Sequence, residues 1–190
     1  MIRIMKRAPD QPSSSKKMRK PAAAVFCGAP YLYKQRMELD DSDYVIEFHD
    51  DISKWEVTIP KHLLPIGLQP GLVHWAKRVN ADAALTLEIR FPSDFPLSVP
   101  FVRVIRPRFQ FHTGHVTIGG SICTKLLTPD GWKQMCVDAL LQSILLTLNE
   151  GGARIQLHPD QHCLNPMWDY SFEEAKEAYK RMGYVHNWKT

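Results

Sequence analysis

The sequence predicts an α+β domain in which helices surround one antiparallel sheet. Four short segments alternate apolar and polar residues in direct succession, the pattern of a meander with one buried face. A helix-like segment precedes them and two follow. The clearest of these, Asp138 to Asn149, places Leu140, Leu141, Ile144, Leu145 and Leu148 on one stripe. A chain of 190 residues suits one domain plus a tail.

The tail comes first. Residues 1–24 are rich in Pro, Ser, Lys and Ala without periodicity, the composition of a disordered segment. Seven Lys or Arg and a single acid, Asp10, fall within residues 1–20, giving +6 there and −2 over the remainder. The net charge of +4 therefore belongs to the tail. KKMRK at 16–20 has the makings of a nuclear localisation signal or of a merely solvated basic run. The body, residues 25–190, has no basic cluster of its own, so a nucleic-acid partner is not expected. No run approaches 18 apolar residues and no secretory signal is visible, so no membrane partner is expected and the expected residence is cytoplasmic, nuclear or both.

Pro30 to Leu39 favours a short helix, with Pro30 suited to its first position. Tyr44 to His49 and Lys54 to Ile59 alternate across the acidic turn DDIS and read as a hairpin. Residues 60–83 interrupt the pattern. Pro60, Pro65, Gly67, Pro70 and Gly71 exclude one regular element, and the stretch is expected to be an insertion in which 72–79 forms a helical turn or an irregular strand. Trp75, Lys77 and Arg78 there pack the insertion onto the sheet or face a partner. Leu85 to Phe91 and Phe101 to Ile105 complete the meander around the turn PSDFPLSVP. Residues 106–136 have no period, and a run of that length inside a compact domain is usually functional. Asp138 is expected to cap the central helix and Gly151–Gly152 to end it. The last helix is expected over Ser171 to Met182, with Ser171 and Glu174 as a capping box.

The aperiodic run carries the chemistry. Without a secretory signal, Cys27, Cys123, Cys136 and Cys163 are expected to be free thiols. There is no CxxC pair. His158, His162 and Cys163 lie in HPDQHC, but Pro159 makes that a loop with no evident fourth ligand, so loop residues are expected rather than a metal site. Cys123 sits beyond Gly114, Gly119 and Gly120, which allow close approach of another backbone. It is a candidate nucleophile. With His112 or His115 it would make a Cys–His hydrolytic pair, although no orienting acid is apparent. A buried structural cysteine is the plainer alternative.

The order FPSDFPLSVP, strand, GGSIC, a Leu-Leu turn and Trp132 resembles the ubiquitin-conjugating enzyme family. GHVTIGGSICTKLLTPDGW is similar to its Q-type members, as is the long link between the second and third strands. The resemblance covers roughly residues 30–185. It implies the UBC-like fold: a first helix, a four-stranded antiparallel meander, an extended active-site segment and a central helix. It implies that Cys123 accepts ubiquitin from the activating enzyme as a thioester and passes it to a substrate lysine or a ligase. Gly120 and Trp132 would support the active-site segment, and Pro92, Phe95, Pro96 and Pro100 match the proline turn, with Val99 replacing a proline. His112 belongs to the same supporting segment. The family's His-Pro-Asn is replaced by Thr113-Gly114-His115, so His115 stands where the oxyanion-stabilising Asn is expected. The acid usually placed after the central helix is missing from residues 151–156, leaving Glu150 and Asp130 as the nearest carboxylates. Lys133-Gln134-Met135 replaces the usual ligase-contact triplet. These departures sustain the alternative of an inactive UBC-like module that binds ubiquitin or scaffolds a complex. No metal or organic cofactor is implied, because ATP is used upstream by the activating enzyme.

Overall fold

The structure, a computed structural model, describes residues 28–48 and 50–188. The basic tail, KKMRK and Cys27 lie outside them. A first helix, α1, spans Ala29–Glu38. The strands are β1 (Val45–Glu47), β2 (Lys54–Pro60), β3 (Ala84–Arg90) and β4 (Phe101–Arg106), paired antiparallel in the order β1-β2-β3-β4. This is the expected meander.

Register follows from the alternation. Trp55, Val57 and Ile59 stand opposite Ile89, Leu87 and Leu85, and all six are fully buried on one face. A one-residue slip would turn that whole set outward. Between Thr86 and Leu87 the register with β4 shifts, leaving Ile105 unpaired in the ladder. Its carbonyl accepts the N–H of Tyr170 instead, which brings the late part of the chain onto the sheet edge.

The insertion is more regular than its prolines suggest. Residues 61–63 make one 3-10 turn, and Gln69–Val79 is an eleven-residue α-helix, α2. Pro70 does not break α2, because it lies in the first turn, where a backbone N–H would have no helical partner. Leu72, Trp75 and Ala76 are buried, so Trp75 packs the insertion onto the body, while Lys77 and Arg78 remain exposed. Arg78 donates to the Leu157 carbonyl.

The central helix, α3, spans Val137–Glu150 and buries Leu140, Leu141, Ile144 and Leu148 in the same core as β2 and β3. Asp138 is not its cap. Cys136 holds that position without a side-chain bond, and Asp138 lies in the first turn, accepting from Gln142. The start of α3 is satisfied from elsewhere: the buried Gln35 of α1 accepts the Val137 N–H at 2.8 Å. Gly151 ends the helix as expected. The last helix, α4, spans Phe172–His186, four residues beyond the expected end, and the Ser171–Glu174 capping box is present. Among the described residues, no helix is long and apolar enough to cross a membrane.

Candidate active site around Cys123

The segment between β4 and α3 is held from three sides. Isolated bridges pair Arg103 with Ser121 and Val116 with Ile122, extending the sheet into the aperiodic run. Thr117 to Ser121 closes a tight turn, in which the Thr117 hydroxyl accepts from the Ser121 N–H and the Thr117 carbonyl accepts from the Gly120 N–H. Trp132 donates its indole N–H to the Pro96 carbonyl at 2.8 Å and rests on Phe95. It is half-buried rather than enclosed, and it ties the far end of the segment to the proline turn.

Gly120 is required by the packing. Its φ is +93°, and a Cβ there would stand 2.6 Å from the Tyr170 ring. Gly120→Ala combines left-handed backbone strain with overpacking, together about 3 kcal/mol. We expect the urea midpoint of this variant to fall accordingly. A midpoint within experimental error of the wild type would show that the turn can yield.

Cys123 is half-buried at the mouth of this frame, and burial pushes its thiol above the ordinary cysteine range. Its N–H donates to the His115 carbonyl at 2.7 Å. His115 thus meets the cysteine through its backbone, with a φ of +54°. Its ring lies toward Gly151, at the end of α3. His112 also has a positive φ, and its ring packs on Phe111. Among the described residues, no hydrogen bond or ring contact joins His112 to Cys123.

The residue that does meet the sulfur is His186, which the sequence reading passed over. Its Nε2 is 3.9 Å from the Cys123 Sγ, within hydrogen-bond reach for sulfur. Trp188 stacks on the same imidazole at a centroid distance of 4.5 Å. Tyr179, two turns earlier on α4, is also drawn in: its hydroxyl donates to the Leu127 carbonyl, just past the cysteine. Its pKa is raised first by burial and then by the charge Cys123 would carry. The helical spacing of Ala175, Tyr179, Met182 and His186 was a usable signal, hidden by ending the helix before Gly183.

The loop HPDQHC is organised by Asp160, whose carboxylate accepts the N–H groups of His162 and Cys163 at 2.8 Å each. Among the described residues, no group of three His, Cys, Asp or Glu could hold a metal. Glu150 ends α3.

Comparison with known proteins bears on the family of the chain. Human ubiquitin-conjugating enzyme E2 Q1 is 31% identical over 146 residues, covering 76% of this chain and 32% of that protein. A human Q-like relative, named as protein 1 of the Q-like ubiquitin-conjugating enzymes, is 41% identical over 111 residues, covering 58% of this chain and 65% of the other. Among solved structures, human ubiquitin-conjugating enzyme E2 G1 superposes with a TM-score of 0.48 at 23% identity, over 66% of this chain and 98% of that one. No family model matches the chain. The meander, its flanking helices and the cysteine segment define a UBC-type α+β domain, and the chain belongs to the ubiquitin-conjugating enzyme family. Within it, the relatives are of the Q type. The chain spans about a third of the length of E2 Q1 and just under two thirds of the Q-like protein.

Proposed function

We propose that the chain is a ubiquitin-conjugating enzyme that carries ubiquitin as a thioester on Cys123. The observation that carries this is the pairing of a half-buried thiol with the His186 imidazole at the mouth of a braced loop. A thiol pushed up by burial is mostly protonated near neutral pH, and the thiolate is the nucleophile, so it needs a base. With the His186 proton on Nδ1, Nε2 accepts the thiol proton. The sulfur then attacks the thioester carbonyl joining ubiquitin to the activating enzyme. The new C–S bond forms, the old one breaks, and the activating enzyme's cysteine leaves. In the second half-reaction an acceptor amine attacks the Cys123 thioester, the C–S bond breaks, and the amine proton passes to the same imidazole. The amine is that of a substrate lysine; where transfer is relayed, a ligase cysteine attacks instead, gives up its thiol proton and forms a new thioester as the C–S bond to Cys123 breaks.

His115 supports this chemistry twice in the proposal. Its carbonyl fixes the backbone of Cys123, and its ring, which rests against Gly151, would turn toward the carbonyl oxygen that becomes negative during attack, the task of the absent Asn. Gly120 and Trp132 hold the loop against Tyr170 and Pro96.

The test is a charging assay with activating enzyme, ubiquitin and ATP, resolved on a non-reducing gel. A thiol-sensitive adduct is expected, lost or converted to a thiol-resistant ester in Cys123→Ser. His115→Ala is expected to form and discharge the adduct about 10²-fold more slowly, the effect of one oxyanion donor. Normal rates would remove His115 from the chemistry. No adduct with any ubiquitin-like cargo would leave the binding-module alternative.

A further inference from the structure

Beyond the conjugating reaction, we propose that the groove between the start of α2 and the loop after α3 docks an acidic peptide segment of a partner protein, one bearing an apolar side chain. The groove encloses about 500 Å³. Leu68 and Pro70 on one side and Ala153 and Ile155 on the other make its apolar walls. The two sides touch at its floor, where a Cβ on Gly71 would stand 3.2 Å from the Ile155 Cβ.

Charge selects the occupant. Arg154 and His74 both line the groove and are exposed, and no Asp or Glu does. Among the described residues, neither the Arg154 guanidinium nor the His74 ring has a hydrogen bond or an ion pair. Both are therefore available as donors. A planar guanidinium takes a carboxylate through two parallel hydrogen bonds, and the apolar walls suit a peptide side chain beside it. Gln110 and Asn149 add amide groups suited to a peptide backbone. An apolar side chain between the walls, with a flanking carboxylate on Arg154, uses every surface the groove presents.

The groove is also tied to the active-site segment. The Gly114 N–H donates to the Gly151 carbonyl and the Gln110 N–H to the Arg154 carbonyl, so one wall is braced against the run that leads to Cys123. A peptide seated there would hold its parent protein beside the reactive segment. This consequence rests on the proposed function; the binding itself does not.

The test is fluorescence anisotropy of the full chain with a fluorescein-labelled peptide of alternating glutamate and leucine. The basic residues 1–20 attract any acidic peptide, so the controls must separate groove from tail. One control replaces each leucine with serine, and another replaces each glutamate with lysine. Both are expected to bind at least tenfold more weakly. Arg154→Glu is expected to weaken binding of the first peptide at least tenfold, as loss and reversal of a paired charge does. Gly67→Trp is expected to abolish binding by filling the groove, since a Cβ at Gly67 meets nothing within 4 Å and the substitution adds no backbone strain. Near-ultraviolet circular dichroism identifies folded variants. The proposal is overturned if the wild type does not bind the first peptide, if either control binds as well, or if both folded variants bind like the wild type. None of these readouts depends on thioester formation, so they separate the groove from the conjugating activity.

Discussion

His186→Ala is expected to slow discharge of the Cys123 thioester to free lysine by about 10²-fold, the contribution of one positioned general base. In the charging half-reaction the thiol also creates a need for that base. Burial raises the Cys123 pKa, so near neutral pH the thiolate fraction is small and climbs about tenfold per pH unit. The imidazole 3.9 Å away is the hydrogen-bond partner of the sulfur. The attacking amine must also shed a proton, and the same imidazole is placed to take it. Single-turnover discharge of preformed thioester across a pH series measures this. The wild-type rate should vary less with pH than the variant's, because its base is already held beside the sulfur. The variant's rate should keep climbing with pH, because hydroxide and neutral amine then supply the base. Added imidazole should restore part of the lost rate. A purely structural role for His186 predicts neither the altered profile nor the rescue. Discharge within twofold of the wild type at every pH would sink the assignment.

Trp188 acts on the same imidazole. Its ring stacks on His186 and covers one face of the imidazole beside the sulfur. The candidate site is thus assembled from two distant stretches, the His115–Cys123 segment and the end of α4. Its parts were unevenly legible in the sequence. The period-two segments around Trp55, Val57, Leu85 and Leu87 announced the sheet, because burial of one face forces alternation. Cys123, Gly120 and Trp132 were visible through their order along the chain. α2 was not, because its prolines read as breakers until Pro70 is placed in the first turn. His186 was missed for a related reason. Gly183 lowers helix propensity by about 1 kcal/mol, yet it is buried and packing carries the helix through it to His186. Propensity is a local quantity, and contacts made far away in sequence overrule it.

The polar face of the sheet holds the other large effect. Glu88 lies on β3 with its side chain almost wholly buried, between Arg103, Arg90 and Lys54. Burial alone would raise its pKa, but the Arg103 charge and the hydrogen bonds from Arg103 and Arg90 outweigh it and hold the carboxyl below the usual range. Replacing one partner of a buried pair leaves the other charged and unpaired, at a cost of about 3–5 kcal/mol. Glu88→Gln keeps the shape and removes the charge, so that loss is expected in urea unfolding at neutral pH. The sign of the pH dependence follows from the depressed folded value. The carboxylate stabilises the fold above its ordinary unfolded pKa, near 4.5, and loses that contribution as pH falls through the lower folded pKa. Wild-type stability should therefore drop more steeply in acid than that of Glu88→Gln, and the two should converge. A loss below about 1 kcal/mol at neutral pH, with parallel pH slopes, would show that Arg103 finds other partners. The consequence reaches the active site, because Arg103 also donates to the Tyr170 carbonyl and pairs with Ser121. Tyr170 is the ring against which Gly120 packs. Freed from Glu88, Arg103 would loosen the floor beneath the cysteine loop, so Glu88→Gln should slow charging of Cys123 even at temperatures where it remains folded.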